Sequence, residues 1–209
     1  AIADNSLVGA HPFSLVTIND LDSPAQTLTV KVSLDATAKG VLSNVGIGSY
    51  DSSTGIYTVI GTALDTQTAI RGLIFTPTPN RVAVDATETT TFTISVNDSV
   101  ALPVINATTT VVSTSINDAP TLGNAVTGQT VNDNASLSPF AGFTVTDPDS
   151  TQSQTLTVSL DDAAKGTLTN LAGGTFTAGT YSVTGTATQV QAAIRGLIFT
   201  PTANHVAVD

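Results

Sequence analysis

The sequence predicts an all-β fold of two tandem sandwich modules, each with one short helix. Three observations carry that expectation: apolar residues alternate along most of the chain, a long segment occurs twice, and one stretch per copy switches to a helical period. Leu28, Val30, Val32 and Leu34 are separated by Thr29, Lys31 and Ser33, and Phe92, Ile94 and Val96 by Thr93 and Ser95. A period of two gives a strand one buried and one wet face, as in antiparallel sandwiches. Threonine is abundant throughout; its β-branch suits a pleated strand and its hydroxyl tolerates water.

The duplication sets the domain organisation. "TINDLDS" from position 17 returns as "TVTDPDS" from 144, "QTLTVKVSLDATAKG" from 26 as "QTLTVSLDDAAKG" from 154, and "IRGLIFTPTPNRVAVD" from 70 as "IRGLIFTPTANHVAVD" from 194. The copies lie about 125 residues apart, longer than a solenoid unit and the size of an independent domain. The decapeptide "AIRGLIFTPT" is identical at 69–78 and 193–202. It holds only Arg, two Thr and a Pro among apolar residues, so it reads as scaffold.

Within that decapeptide the alternation breaks. Val190, Ala193, Ile194 and Leu197 fall at i, i+3, i+4 and i+7, Thr186 and Gln189 fit a capping box, and Gly196 is placed to end the helix. A helix of two to three turns is expected, followed by the strand "LIFTPT", which Pro201 stops because it has no N–H for a ladder. Gly173 and Gly174 read as a hairpin turn. "SINDAPTLGN" (115–124) has the composition of a linker, which puts the boundary near Asp118.

Asp209 aligns with Asp85, and the first copy continues through two alternating segments that the second does not have; the first in turn has no counterpart of "TLGNAVTG". The expected modules are therefore 1–117, without a first strand, and 118–209, without its last strands. Adjacent repeats of the same protein are the expected partners, together with self-association by strand donation into filaments.

Composition narrows the function. Acidic groups outnumber basic ones 16 to 6, for a net charge of −10. No basic stripe exists to follow phosphates, so a nucleic-acid partner is disfavoured and divalent cations are natural partners. Absence of cysteine removes disulfides and Cys-type zinc sites. No apolar run is long enough to suggest a membrane span. Two histidines are present: His205 aligns with Arg81, and His11 has no histidine counterpart. Neither belongs to a repeated site, so an enzyme is not expected. No phosphate-binding glycine loop is present either.

The repeated polar feature is a D-x-D pair, Asp20 with Asp22 and Asp147 with Asp149. At a strand end, residues i and i+2 point to one side, so two carboxylates converge on one volume. Calcium, which takes six to eight oxygens, relieves their repulsion. Asn117 and Asp118, and Asn132, Asp133 and Asn134, supply further oxygen donors around the boundary. The alternative is that these Asp-rich turns cap strand ends through local hydrogen bonds. Glu88, Asn97 and Asp98 are weaker candidates, and Tyr57 and Tyr181 read as core or rim residues rather than a ligand platform. Arg71 and Arg195 are expected to pair with carboxylates or to cover apolar surface with their stems.

At "NDAP" (117–120), "TVTDPDS" and "GLIFTPT" the sequence resembles the tandem cadherin-like and Ig-like β-sandwich repeats of large bacterial surface adhesins, including those of RTX-type secreted proteins. The resemblance covers nearly the whole chain. It implies that a linker and the D-x-D of the next module bind calcium jointly, which points to Asn117, Asp118, Asp147 and Asp149. The chain departs from that pattern at Ser115 and Ala119, where the family carries Asp and Asn. The expected function is a calcium-stiffened, non-enzymatic spacer of an extracellular or cell-surface adhesin. The alternative is a carbohydrate-binding or other ligand-binding sandwich module, against which the absence of Trp counts.

Overall fold

The computed structural model describes residues 1–22, 25–149 and 152–205. Strands occupy 39% of the chain and helices 13%, so this is a β-rich protein with few helices and a curled sheet. The residues fall into two compact units, Ala1–Asn117 and Asp118–Asp209.

The first unit contains β1 (Ile2–Ala3), β2 (Leu28–Leu34), β3 (Gly40–Ser43), β4 (Ser49–Asp51), β5 (Ile56–Gly61), α1 (Ala63–Gly72), β6 (Ile74–Pro77), β7 (Thr87–Asn97) and β8 (Val104–Thr114). Six strands form one sheet in the order β1-β8-β7-β2-β5-β4, and β3 pairs separately with β6. All pairings are antiparallel except that of β1, which runs parallel to β8. Alternation decides which face is buried: Leu28, Val30, Val32 and Leu34 turn inward while Lys31 is exposed. Phe75 of β6 meets Phe92 of β7 edge-on with centroids 5.1 Å apart, and Phe13 meets Phe92 in the same way. One core therefore takes side chains from both sheets and from the segment before β2.

The second unit repeats part of this plan with β9 (Thr121–Gly123), β10 (Thr144–Thr146), β11 (Gln154–Ser159), β12 (Gly166–Thr169), β13 (Thr175–Thr177), β14 (Thr180–Gly185), α2 (Ala187–Gly196) and β15 (Ile198–Pro201). The register repeats as well: Val32 opposes Tyr57 and Val158 opposes Tyr181, while Leu42 opposes Phe75 and Leu168 opposes Phe199. Phe199 is half-buried where Phe75 is fully buried.

The second helix starts as expected, the first starts in the same way, and both end differently. Thr62 with Asp65 and Thr186 with Gln189 form capping boxes. Gly72 and Gly196, however, remain helical and are followed by Leu73 and Leu197 in extended conformation, so neither glycine serves as a left-handed cap. Instead the side-chain amides of Asn44 and Asn170 donate to the Gly72 and Gly196 carbonyls, each at 2.6 Å. A Cβ at Gly196 would stand 3.2 Å from the Asn170 amide nitrogen, so glycine there leaves room for the asparagine that satisfies the helix end.

Two further local readings are corrected. Gly173 and Gly174 do not close a hairpin, because β12 on one side pairs with β15 and β13 on the other with β14. The segment read as a linker contains β9, paired antiparallel with β10, and its first residue, Ser115, is buried in the first unit with its N–H donating to the Ala86 carbonyl at 2.9 Å.

Candidate functional site

Each D-x-D pair folds into a closed turn. In the first unit Asp20 Oδ1 accepts from the Asp22 N–H at 3.0 Å and Oδ2 from the Gln26 N–H at 2.9 Å, while the Gln26 amide donates to Asp22 Oδ2 at 3.2 Å. In the second, Asp147 Oδ1 accepts from the Asp149 N–H at 2.8 Å, and Oδ2 accepts from the Gln154 amide. Local bonding of an aspartate to the N–H two residues on is the Asx geometry that makes Asp favourable in turns. Gln26 and Gln154 both open a "QTLTV" segment; Gln26 donates to both carboxylates of its pair and Gln154 to Asp147.

The second turn goes further. Asp149 is only 6% exposed, and its Oδ2 accepts from the Asp118 N–H at 2.7 Å. A buried carboxylate needs such donors. The structure therefore brings Asp118, Asp147 and Asp149 into one hydrogen-bonded chain. Asn117 belongs to the first unit. Asp133 is engaged elsewhere: its Oδ2 accepts from the Asn204 N–H at 2.9 Å.

Asp133 has a counterpart that sequence reasoning passed over. Asp4, 4% exposed, accepts from the Asn80 N–H at 2.8 Å through Oδ2 and from the Ile116 N–H at 3.1 Å through Oδ1. The pairs Asp4 with Asn80 and Asp133 with Asn204 are the same contact made twice. Each of these two aspartates is followed by Asn, but Asp4 stands 16 residues before Asp20 and Asp133 14 before Asp147, so spacing alone does not align them.

Among the weaker candidates, Asp98 gains a role. It lines a depression of about 130 Å³ together with Asn19 and Asp20. Its carboxylate accepts from the N–H groups of Val100 and Ala101, and these bonds hold it below the usual carboxylate range. Glu88 instead pairs with Arg81, with Nε and Oε2 2.9 Å apart. Tyr57 and Tyr181 are fully buried, donate to the carbonyls of Val45 and Leu171, and burial pushes both phenols upward. Arg71 and Arg195 pair with no carboxylate among the described residues; they donate to the carbonyls of Val16 and Phe143 at 2.7 and 2.6 Å, anchoring the segment ahead of each D-x-D pair to the helix.

For a hard cation the donors fit in kind, being all oxygen. In number they are sparse: among the described residues no group of three or more His, Cys, Asp or Glu side chains converges to metal-binding distance. A calcium ion at Asp147 and Asp149 would complete its six to eight ligands with backbone carbonyls and water. Among the described residues no helix is long and apolar enough to cross a membrane. Compared with protein-family models, curated proteins and solved structures, the chain finds no significant match.

Proposed function

We propose that the chain is a non-enzymatic structural repeat of an extracellular bacterial adhesin or filament protein, each unit a cadherin-like or Ig-like β-sandwich, with calcium at the aspartate turns stiffening the array. The observation that supports this reading most is that an aspartate turn occurs in both units, Asp20 held by the Asp22 and Gln26 N–H groups in one and Asp147 by the Asp149 N–H and the Gln154 amide in the other. The side chains repeated between the units, the asparagine caps, the buried tyrosines, the arginine anchors and the Asp4 and Asp133 clamps, all hold backbone. A module whose repeated polar groups serve geometry suits a spacer, with adjacent repeats as its partners.

Calcium titration with calorimetric melting tests the reading. A ligand that binds only the folded state stabilises it by about 2.7 kcal/mol at a hundredfold excess over Kd, so calcium raises Tm and a chelator reverses the rise. Asp149→Ala lowers Tm even without calcium, because it strands the Asp118 N–H; the decisive readout is therefore the calcium increment, which Asp147→Asn and Asp149→Asn abolish. Absence of any increment in the unmodified chain overturns the calcium part of the reading. Binding of this chain to a glycan array would instead favour a carbohydrate-binding module.

A further inference from the structure

The sheet faces turned away from the two cores are built alike and surfaced differently. On β2 the inward Val30 and Val32 leave Lys31 pointing outward; on β5 the inward Tyr57 and Val59 leave Ile56, Thr58 and Ile60 outward; on β4 the inward Tyr50 leaves Asp51 outward. In the second unit every outward position of β11, β14 and β13 is serine or threonine. Hydroxyls meet across that ladder, Thr155 with Thr184 at 3.1 Å and Ser159 with Thr180 at 3.2 Å. The registers fix the correspondence: Ser33 opposes Ile56 as Ser159 opposes Thr180, and Tyr50 opposes Tyr57 as Phe176 opposes Tyr181. Thr157, Thr177, Thr180 and Thr184 therefore stand where the first unit has Lys31, Asp51, Ile56 and Ile60.

A face that meets only water needs no more than the hydroxyls of the second unit. The first adds two unlike charges and two isoleucines, of which Ile60 is 60% exposed. Among the described residues Lys31 makes no ion pair, unlike Lys39 and Lys165. The Asp51 carboxylate is oriented by the Ser53 N–H at 2.9 Å and by the Ser53 and Thr54 hydroxyls at 2.7 and 3.0 Å, yet the residue is exposed. In the sheet β5 lies between β2 and β4. Lys31 and Asp51 thus flank the isoleucines from opposite sides.

We propose that this face binds the same face of a second copy of the chain, about a twofold axis running along β5 between the two sheets. In a contact of this symmetry the patch must complement itself. Rotation about β5 exchanges its flanks, so Lys31 of each copy meets Asp51 of the other, and the isoleucines of the two β5 strands meet between the ion pairs. Asp51 lies one row along the strands from Lys31, about 7 Å, an offset that the lysine stem and the usual crossing angle of packed sheets take up. Charge selects the occupant. A partner of one sign gains at one flank and is repelled at the other, whereas a second copy satisfies both. The two ion pairs offset the repulsion between chains of net charge −10, and Ile56 and Ile60 leave water. Three strands span only about 10 Å, so the contact belongs with small, concentration-dependent associations. It uses no calcium; its failure leaves the spacer reading standing, and loss of the calcium effect leaves the face standing.

Sedimentation of the 209-residue chain over a concentration series, with melting curves as a control on folding, tests the proposal. The unmodified chain dimerises as concentration rises. Lys31→Asp, at an exposed position, keeps the melting curve, sets like charges against each other and raises the dimer Kd more than about tenfold. Ile60→Thr, which copies the second unit, weakens the dimer by removing apolar surface from it. Asp51→Lys alone acts as Lys31→Asp does, but an equimolar mixture of these two variants dimerises again, because each then carries the charges the other lacks. A chain that stays monomeric over the whole range, a Lys31→Asp chain that dimerises as tightly as the unmodified one, or a mixture of folded variants that stays monomeric overturns the proposal.

Discussion

Asp4 shows how much a single buried carboxylate does here. It holds two backbone N–H groups 76 and 112 residues away in sequence, on Asn80 and Ile116, and its own N–H donates to the Thr114 carbonyl at 2.9 Å. Asp4→Ala strands both donors in a site closed to water, at a cost of about 1–3 kcal/mol per stranded group; urea unfolding reads the loss as a fall in midpoint at unchanged m-value. Asp133→Ala, whose carboxylate holds one described N–H and is more exposed, costs less. Neither aspartate has a sequence signature of its own. Their role became visible only when the fold brought the start of each copy beside the turn after β6 or β15, whereas the D-x-D spacing pointed to calcium first and to local turn bonding only as the alternative.

At the scale of elements, legibility followed the length of the periodic signal. β2, β7 and the two helices have enough alternating or i, i+3, i+4 positions to be read, and the Thr62 and Thr186 boxes were fixed by local chemistry. β9 was hidden because three residues carry no period and lie among Asn, Asp, Pro and Gly. The helix ends were misread for a different reason: Gly196 satisfies a cap rule in sequence, but the Asn170 amide, 26 residues upstream, does the capping. Packing still dominates these helices. Ile194 is 2% exposed and Ile70 is fully buried, so Ile194→Ala costs about 2–5 kcal/mol. Asn170→Ala, which frees one terminal carbonyl in an exposed setting, costs at most about 1 kcal/mol. Equilibrium denaturation of the two variants separates the contributions, and equal losses would show the cap to matter as much as the core.

For the molecule as a whole, acidity governs behaviour in solution. With a net charge of −10 and a pI near 4.1, the chain repels itself at neutral pH and loses that repulsion as carboxylates protonate. Three exposed aspartates are held below their ordinary range: Asp51 by the Ser53 and Thr54 hydroxyls and N–H groups, Asp98 by the Val100 and Ala101 N–H groups, and Asp161 by Lys165. Because the folded state holds their protons more weakly than the unfolded state, they add stability above about pH 4 that disappears as pH falls below it. Lys165 is raised by Asp161, so its contribution is full below about pH 10.4 and is lost above. Melting curves across pH therefore show a plateau at neutrality and a decline toward acid, with salt flattening the decline because all four groups are open to solvent. A Tm that rises steadily down to pH 3 would contradict this assignment.

The parallel seating of β1 against β8 has a mechanical consequence. Tension applied between residues 1 and 117 pulls Ile2–Ala3 and Ser113–Thr114 in opposite directions along a shared ladder, so the bonds between them are loaded together in shear instead of opening one at a time. Asp4 adds its carboxylate clamp at the same seam. Forced unfolding is set by the barrier rather than by equilibrium stability, which makes the first unit stiffer under stretch than its melting temperature alone suggests. Single-molecule pulling would show this as a rupture force that Asp4→Ala lowers sharply, while Asn44→Ala, at the helix end away from the seam, leaves it nearly unchanged.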